Sequence, residues 1–378
     1  MTGPIDCDMH LFEPPDMWQQ YCEPADRDRV LRMETDELGY VWLVSGADGR
    51  RLTLAEPHQP KHPSVIGDYR QRQLQGLPSD LDYAAFSAPY SDPAAILAHL
   101  DRTGFAQAVL FPNYGIVWER RLASDLPSTL ANMGAWNGWL ADLLPGCAGR
   151  LHPVAHVSLR DRDWLLAQLA DLGAAGIRLA LIPPALVDGL PLSHPSLDWV
   201  WSAFVDHQIT PVFHVADQPR PFDEAWYGED TPGAIAPLTS IFIWTAVALA
   251  LTDLIINGVL ERHPDLRLGV MELSAIWVPL HLQMMDGGFA FAASFNGEKV
   301  PLSLRPSDYF RRQVRVAAFS YEQPRRLIDH AGDIFMACSD YPHTEGTDTA
   351  LDDYRSTGLQ PESAPGLFRE NAEFLLRT

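Results

Sequence analysis

The sequence predicts an α/β fold, a (β/α)8 TIM barrel with an insertion after the first strand. Three observations predict it. Eight short apolar runs follow one another along the chain, helical segments separate most of them, and 378 residues is an ordinary length for such a barrel with an insertion. Hydrophobic residues make up 47% of the chain, which is enough for one large core. We therefore expect a single barrel over residues 1–378, with residues 19–90 as an insertion or cap within it.

The predicted strands and helices alternate in chain order. The strands cover residues 5–10, 107–111, 151–157, 176–180, 210–215, 268–272, 313–318 and 334–338. The helices lie near residues 91–103, 127–144, 161–172, 197–207, 237–262, 322–330 and 364–376. The first helix has clear end signals, because Ser91-Asp92-Pro93 supplies a polar cap and a first-turn proline, and Gly104 follows its last residue. Residues 19–90 carry too little periodicity to supply a second core.

Composition and charge argue against several classes of function. The net charge of −21 and the pI near 4.9 disfavour nucleic acid or an anionic membrane as a partner, because both bind basic surfaces. With only two lysines, Lys61 and Lys299, a Schiff-base mechanism is not favoured. The four cysteines lie far apart without a CxxC pair, which indicates free thiols in a reducing cytoplasm rather than a disulfide frame or a thiolate zinc site. No signal-peptide pattern opens the chain, because acidic residues appear by Asp6.

One segment, residues 233–252, carries no charged residue and has the length of a membrane span. It contains Pro237, Thr239, Ser240 and Thr245, and Asp253 follows directly. We interpret it as a buried helix rather than a membrane segment. Some of its apolar surface would be available to a second subunit, and we therefore expect a homodimer.

Acidic and histidine side chains fall at the ends of several predicted strands. Asp8 and His10 lie two residues apart in the first strand, so their side chains project to the same face. His214 and Glu272 fall at the ends of strands five and six, and Asp340 follows strand eight. Active sites of such barrels lie at the carboxyl ends of the strands. Any one of these residues has an ordinary structural explanation, such as a salt bridge, but their common position indicates a metal site.

Two nitrogen and two oxygen ligands suit one Zn²⁺, although the oxygen ligands also admit Mn²⁺ or Fe²⁺. An open coordination position would remain for water or substrate. The sequence has no GxSxG elbow, P-loop, GxGxxG or HExxH motif that would indicate another chemistry.

Other candidates each have a structural alternative. His343 would contact substrate or stabilise the Tyr341-Pro342 turn. Arg178, within predicted strand four, would clamp a substrate carboxylate with its guanidinium or form an ion pair inside the barrel. Asn113, in the turn after strand two, is a further substrate-binding candidate. Aromatic residues that would line a substrate pocket or pack in the core are Trp226, Tyr227, Phe242 and Trp244. Histidines expected to be packing or surface residues are His58, His62, His99, His156 and His207.

Three motifs resemble the amidohydrolase-related proteins of the amino-carboxymuconate-semialdehyde decarboxylase type, including the salicylate-type decarboxylases. They are Asp6-x-Asp8-x-His10-x-x-Glu13-Pro14, Pro211-x-x-His214 and Ser339-Asp340-Tyr341-Pro342-His343-x-Glu345-Gly346. Residues 258–271, 277–279 and 368–372 are similar to the same family, and the resemblance is weakest over residues 19–90. It implies one divalent metal, held by Asp8, His10, His214 and Asp340, with Asp340 also donating or accepting a proton.

Two positions depart from the family pattern. The first strand has Asp-x-His, where many members have His-x-His and the salicylate-type decarboxylases have Glu-x-His, so an acidic first ligand favours the decarboxylases. Glu272 stands where many members place a catalytic histidine, which leaves the acid/base group open between Asp340 and Glu272.

The resemblance and the strand-end residues together favour a metal-dependent carboxy-lyase that decarboxylates a small aromatic or conjugated carboxylic acid without oxidation. The alternative is a metal-dependent hydrolase of an amide, lactone or activated C–C bond that uses a metal-bound water. A third interpretation is a binding protein that kept the barrel without its chemistry. Zinc is the first choice of metal, with manganese or iron as alternatives.

Overall fold

The computed structural model describes residues 3–215, 219, 226, 237–297 and 302–378. Its strands are β1 (Ile5–Leu11), β2 (Arg32–Thr35), β3 (Val41–Val44), β4 (Arg51–Leu54), β5 (Gln107–Pro112), β6 (Leu151–His156), β7 (Leu179–Leu181), β8 (Thr210–His214), β9 (Leu268–Met271), β10 (Val314–Ala317) and β11 (Phe335–Met336).

The α-helices are α1 (Met17–Tyr21), α2 (Ser64–Leu74), α3 (Tyr83–Ser91), α4 (Pro93–Thr103), α5 (Leu126–Leu143), α6 (Arg162–Ala175), α7 (Asp198–Asp206), α8 (Pro237–Ile241), α9 (Thr245–Ile256), α10 (Val259–Arg262), α11 (Val278–Asn296), α12 (Pro306–Gln313), α13 (Pro324–Ala331), α14 (Ala350–Ser356) and α15 (Asn371–Leu376). A π-helical turn, Gly366–Glu370, precedes α15.

Strands β1 and β5 to β11 form one sheet in chain order, and neighbouring strands run parallel. The chain that follows β11 closes the sheet against β1. Asp340 donates its backbone N–H to the Asp8 carbonyl (2.8 Å), and His10 donates its own to the Tyr341 carbonyl (2.9 Å). The predicted (β/α)8 barrel is therefore confirmed.

Two hydrophobic clusters fill the barrel. The inner cluster takes residues from every strand of the closed sheet: Cys7, Val109, Val154, Leu181, Val212, Met271, Ala317 and Met336. Leu375 and Leu376 of α15 join this cluster, and the Thr210 hydroxyl at the amino end of β8 donates to the Leu375 carbonyl (2.7 Å). The larger cluster lies between the strands and the surrounding helices. Because α15 packs against the amino ends of the strands, the carboxyl ends are the ones left for a site.

The segment predicted as an insertion contains a three-stranded antiparallel sheet, β2–β3–β4, and helices α2 and α3. Tyr40, Leu54 and Tyr69 form a small buried cluster of their own there. Other residues of the same segment, such as Leu31 and Leu43, belong to the main cluster. The insertion is thus packed onto the barrel.

Several elements differ from the sequence prediction, among them α12 and α14, which were not predicted. Predicted strand four begins at Gly176, but Gly176 ends α6 with a left-handed φ of 93°, and β7 starts at Leu179. The single helix predicted to end near Arg262 is broken into α8, α9 and α10. Helix α11, the longest in the described part of the chain, was not predicted at all.

From Pro237 on, the uncharged segment lies in α8 and α9. By length and composition, Pro237–Ile256 could cross a membrane, with a mean hydropathy of 1.9. One face of α9 packs in the main hydrophobic cluster through Val247, Leu251 and Leu254. This agrees with a helix of the barrel layer, although only 39% of the apolar window is buried.

Candidate metal centre and active site

A β-bulge in β1 aims Asp8 and His10 at the centre of the barrel. The pairing of β1 with β5 shifts between Asp6 and Met9. Before the shift, Cys7 faces the inner cluster, and after it Met9 faces the outer one. One extra residue in a strand reverses the alternation of side chains. Asp8 and His10 consequently lie inside the mouth and are fully buried.

Two further acids stand just beyond strand ends in an unusual backbone conformation. Glu272 follows β9 with a φ of 51°, and Asp340 follows β11 with a φ of 56°. Non-glycine residues rarely adopt this left-handed conformation, and those that do are often at functional sites. Gly346 allows the turn around Asp340, because a Cβ at this glycine would lie 2.2 Å from the Asp340 carbonyl oxygen.

Three histidines and three carboxylates converge at this point. His10 Nε2 lies 3.2 Å from Asp340 Oδ1, and His214 Nε2 lies 3.3 Å from Asp8 Oδ1 and 3.2 Å from Glu272 Oε2. His343 Nδ1 lies 3.1 Å from Asp340 Oδ1. Two overlapping groups have possible donor atoms within 4.8 Å of one another: Asp8, His10 and His214, and His10, Glu272, Asp340 and His343.

Each imidazole is oriented by a hydrogen bond from its other nitrogen. The partners are the carbonyl of Pro112 for His10 Nδ1 (3.2 Å), the carbonyl of Val215 for His214 Nδ1, and the side-chain oxygen of Asn113 for His343 Nε2 (2.9 Å). These acceptors place the proton of a neutral ring on the nitrogen that faces away from the cluster. The nitrogen that faces the cluster then presents a lone pair to carboxylate oxygens.

Imidazole nitrogens and carboxylate oxygens that face each other as hydrogen-bond acceptors repel unless a cation or a proton lies between them. Five polar atoms of the cluster are buried without a hydrogen-bond partner among the described residues: Asp8 Oδ2, His10 Nε2, Glu272 Oε2 and both carboxylate oxygens of Asp340. Buried polar groups normally have partners, so these atoms are candidate ligands for a cation. Imidazole and carboxylate donors in this number suit a divalent transition metal.

Burial sets the electrostatics of the cluster. It raises the pKa of Asp8 and of Asp340, and it raises the pKa of Glu272 well above the usual range, with the nearby Asp340 carboxylate adding to the effect. Burial also lowers the pKa of His343 well below its usual range, and the neighbouring His10 lowers it further. A bound cation would offset the repulsion among the carboxylates.

Two buried carboxylates support the cluster from outside. Asp6 Oδ1 accepts the backbone N–H groups of Asp8 (3.2 Å) and Ser339 (2.9 Å), which ties β1 to the turn that carries Asp340. Glu13 Oε1 accepts the N–H groups of Tyr114 (3.0 Å) and Gly115 (2.8 Å) in the loop after β5. Both acids stand in the first sequence motif, but sequence reasoning gave them no role.

The insertion also reaches the site. His343 stacks on His10 with ring centroids 3.6 Å apart. His58 in turn stacks on His343, with ring centroids 4.7 Å apart. His58 comes from the segment after β4, and it was expected to be a packing or surface residue. It packs against a candidate active-site histidine, so the cap contributes to the wall of the site.

A cavity of about 280 Å³ opens beside the cluster. Its lining is mainly apolar and comes from the loops after β5, β6, β7 and β8, with His214 shared between the cavity and the cluster. Apolar lining residues include Ile116, Leu159, Leu181, Ile182 and Val187. His156 also lines it and bonds through Nε2 to Glu119 (3.0 Å), so the histidine expected to be a packing residue stands in the cavity wall. An apolar cavity with few polar groups is typical of a small-molecule site.

Of the predicted substrate-binding residues Arg178, Trp226 and Tyr227, the structure describes the first two. Arg178 precedes β7 at the amino end of the barrel and donates to the carbonyls of Gly173 (3.0 Å) and Ile177 (3.2 Å), so the carboxylate-clamp interpretation is corrected. The error follows from placing strand four too early. Trp226 is 69% exposed, and Tyr227 lies outside the described residues.

No protein-family model matches the chain, and no curated protein matches it by sequence. Solved structures do match. An amidohydrolase from Mycobacterium avium subsp. paratuberculosis K-10 aligns with a TM-score of 0.79 at 24% identity, over 99% of both chains. The chain shares the amidohydrolase barrel fold.

Two decarboxylase structures share this fold at lower identity. A 2,6-dihydroxybenzoate decarboxylase from Rhizobium has a TM-score of 0.62 and 18% identity, and the alignment covers 100% of this chain and 99% of that one. A dihydroxybenzoic acid decarboxylase from Polaromonas sp. JS666, solved with manganese and the inhibitor 2-nitroresorcinol, has a TM-score of 0.62 and 13% identity over 100% and 97% of the two chains. The fold that the resemblance implied is therefore confirmed.

Proposed function

We propose that the protein is a metal-dependent carboxy-lyase of the amidohydrolase type, which removes CO₂ from a small aromatic or conjugated carboxylic acid without oxidation. The observation that carries this proposal is the convergence of three carboxylates and three imidazole nitrogens at the mouth of the barrel, beside a mainly apolar cavity. The decarboxylases that share the fold act on aromatic acids, as their names state.

Asp8, His10, His214 and Asp340 would hold the metal. When bound, it would supply a Lewis acid that binds the substrate carboxylate or a neighbouring oxygen and fixes its orientation. Manganese is the first metal to test, because the Polaromonas enzyme was solved with it. Zinc and iron suit the same donor set and belong in the same experiment.

Glu272 and Asp340, the second of which is also a metal ligand, are the groups that would handle a proton, and His343 lies beside them. In the reaction, the carbon that bears the carboxylate gains a proton and the carbon–carbon bond breaks to give CO₂. Glu272 Oε2 is 3.2 Å from His214 Nε2 and 3.8 Å from His343 Nδ1, so its carboxyl group lies within the cluster. We assign proton donation to Glu272 or Asp340 and the orientation of the substrate to His343, which Asn113 holds in place.

The substrate body would occupy the apolar cavity next to His214. The loops after β5 to β8 that line the cavity would contact the ring, and Trp226 and Tyr227 stay candidates for the same role. Arg178 is not assigned to the substrate carboxylate, because it is bonded at the other end of the barrel.

The test measures CO₂ release from a panel of hydroxybenzoic and unsaturated acids, with metal analysis of the same sample. Glu272→Gln should keep the metal and lose roughly 10²-fold or more in turnover, the usual scale for a general acid. Asp340→Asn should lose both metal and activity. Asp171→Asn, at an exposed carboxylate on α6, is the matched control and should change neither. Full CO₂ release by a metal-free sample would contradict the proposal.

The second candidate is a hydrolase that uses the same residues on an amide, lactone or activated C–C bond. The amidohydrolase from M. avium favours it, because that structure has the higher TM-score of 0.79. Labelled water separates the two reactions. A product that keeps every substrate carbon and gains ¹⁸O supports the hydrolase, whereas loss of one carbon as CO₂ supports the carboxy-lyase. A metal-loaded protein that binds acids and converts none of them would support the binding-protein interpretation instead.

We also propose that the protein is cytoplasmic. All four cysteines are free thiols, which suits a reducing cytoplasm.

A further inference from the structure

The cavity beside the metal cluster contains a polar pair, His156 and Glu119, that the proposed reaction does not use. His156 is the last residue of β6, and Glu119 belongs to the loop after β5. The two side chains meet through His156 Nε2 and Glu119 Oε2, which lie 3.0 Å apart. Both residues line the cavity, where most of the surrounding surface is apolar. A few placed polar groups in an apolar wall are what give a small-molecule site its specificity.

The fold holds His156 in one position. Its side chain is 2% exposed, and the Trp118 ring packs against it with ring centroids 5.2 Å apart. Asn137 of α5 accepts the His156 backbone N–H and donates to the His156 carbonyl, each at 2.9 Å. The second ring nitrogen, Nδ1, has no hydrogen-bond partner among the described residues. The hydrogen bond to Glu119 is therefore the one that orients the imidazole.

Glu119 keeps one carboxylate oxygen for a ligand. A carboxylate only accepts hydrogen bonds, so the proton between the two side chains belongs to His156 Nε2. This hydrogen bond occupies Oε2, while Oε1 accepts none from the residues that the structure describes. The Glu119 side chain is 19% exposed, in contrast to the buried imidazole. Glu119 therefore presents an acceptor to the cavity, and His156 fixes its direction.

One barrel strand separates the pair from the metal cluster. His156 pairs with Leu181 of β7, and β7 pairs in turn with β8, which ends at His214. Neighbouring strands are about 4.8 Å apart, so His156 and His214 start from strands roughly 10 Å apart. His156, Leu181 and His214 all line the cavity. The cavity thus joins a candidate metal ligand to a hydrogen-bond acceptor, with an apolar wall between them. This arrangement suits a ring with a carboxylate on one side and a hydrogen-bond donor on the other.

Two arginines line the same cavity and would favour a different substituent. Arg160 donates from Nε to Asp188 Oδ1 and from Nη1 to the Ala123 carbonyl, each at 2.7 Å. Its charge is therefore balanced within the wall. Arg120 is an exposed residue. An arginine would attract a second carboxylate on the substrate, whereas Glu119 would repel one, so the two alternatives predict opposite preferences for a diacid.

We propose that Glu119, positioned by His156, selects acids that carry a hydroxyl or amino group on the side of the molecule remote from the carboxylate. The selection rests on the proposed function and narrows its substrate class to benzoic or conjugated acids with a hydrogen-bond donor at the para position or its equivalent. Such a donor would bind Glu119 Oε1. An analogue without the donor would leave this carboxylate oxygen unpaired inside the cavity, and sites of this kind discriminate strongly.

Three salicylic acids that differ only para to the carboxylate test the selection in the metal-loaded wild type. The para substituents are hydroxyl, methyl, which has a similar size but no donor, and carboxylate. CO₂ release gives kcat/KM for the acids. Their nitro counterparts, in which a nitro group replaces the first carboxylate, cannot release CO₂ and give dissociation constants by titration calorimetry. The hydroxyl compound should bind at least about 10-fold more tightly than the methyl compound, the scale of one hydrogen bond to a charged group. The carboxylate compound should bind most weakly.

Glu119→Gln should remove this preference. The amide oxygen would accept the hydrogen bond from His156, and the amide nitrogen would then face the cavity as a donor. The hydroxyl and methyl compounds should bind about equally, and the carboxylate compound should bind more tightly than it does to the wild type. Glu362→Gln, at an exposed carboxylate that does not line the cavity, is the matched control and should keep the wild-type ratio. Both variants should keep the metal content of the wild type.

Rescue by a conservative variant tests His156 as a positioning residue. Glutamine can place an N–H donor near the position of the imidazole Nε2, so His156→Gln should retain most of the preference for the hydroxyl compound. His156→Leu removes the donor and should lower this preference several-fold without loss of metal. An equal loss in both variants would show that His156 only packs, and would overturn its assigned role.

A wild type that binds the methyl compound as tightly as the hydroxyl compound would overturn the proposal, and so would a Glu119→Gln variant that keeps the wild-type ratio. Tightest binding of the carboxylate compound would overturn it in favour of an arginine. Failure of the proposed function gives a different result. Selective binding without CO₂ release from any of the acids contradicts the carboxy-lyase and leaves the selection by Glu119 intact, whereas CO₂ release from all three acids at equal kcat/KM contradicts only the selection.

Discussion

Glu13 provides a prediction whose magnitude follows from the structure. Its side chain is fully buried and accepts hydrogen bonds from the backbone of Tyr114 and Gly115. Burial raises the pKa of Glu13 to about 7, although these two hydrogen bonds lower it in part. Gly115 lines the cavity, and Asn113 beside it orients His343. The carboxyl group therefore titrates next to a loop that shapes the site.

The sign of the effect on stability follows from proton binding. The unfolded carboxyl group has its ordinary pKa of 4.5 and the folded one a pKa of about 7, so between these values the folded protein binds more protons. The free energy of unfolding should therefore fall as the pH rises through this window and become level above it. At 1.36 kcal/mol per pKa unit, the loss that Glu13 contributes is about 3 kcal/mol.

Glu13→Gln removes the titration and keeps an oxygen that can accept both backbone hydrogen bonds. Urea unfolding of both proteins, followed by circular dichroism between pH 4.5 and 8.5 or thereabouts, measures the difference in free energy of unfolding at each pH. The variant should gain about 2–3 kcal/mol relative to the wild type from the acidic to the alkaline end. Glu362→Gln, at an exposed carboxylate, should show a flat difference. A flat difference for Glu13→Gln as well would refute the reasoning.

Two further predictions concern the metal and a helix end. In the wild type, added Mn²⁺ or Zn²⁺ should raise the melting temperature, because a ligand that binds only the folded state stabilises it by about 4 kcal/mol at 1,000 times its dissociation constant. His214→Ala should abolish this increase in a thermal-shift assay. An equal increase in the variant would contradict the assigned ligand set. Asp92→Ala should lower the free energy of unfolding by about 1 kcal/mol in urea, because the Asp92 side chain accepts the Ala94 N–H at the start of α4 (3.0 Å); an unchanged value would show that this cap is dispensable.

The sequence predicted the position of the candidate site because the ends of the strands of a parallel barrel can be recognised in the sequence, where the apolar runs stop. His214 ends β8, and Asp8 and His10 belong to β1, as the apolar runs indicate. The sequence analysis attributed the common direction of Asp8 and His10 to regular strand alternation, but their inward direction depends on the bulge in β1. Simple alternation would place them on the face opposite Cys7, and the bulge in β1 brings all three inside. A bulge depends on pairing with β5, which the sequence of one strand does not specify.

Arg178 and helix α11 show what a single sequence does not contain. A three-residue error in the start of β7 placed Arg178 inside the predicted strand, whereas it precedes the strand at the amino end of the barrel. Helix α11 escaped notice because its apolar residues do not form one buried face. Leu282 and Met285 are buried, whereas Leu280 and Met284 are exposed, so the helix is apolar on both sides. Such a pattern has little 3.6-residue periodicity to detect.

The backbone around Glu272 and Asp340 gives an independent reason to assign a ligand to this site. Both residues hold a left-handed conformation that costs of order 1 kcal/mol for a non-glycine residue, and both place carboxylate oxygens in a buried position without a hydrogen-bond partner among the described residues. The surroundings fix each turn: Glu322 accepts the Ala275 N–H (2.9 Å) beyond Glu272. The fold thus maintains two unfavourable arrangements at neighbouring sites of one barrel mouth. A cation bound between the carboxylates and the imidazole nitrogens would give these oxygens a partner.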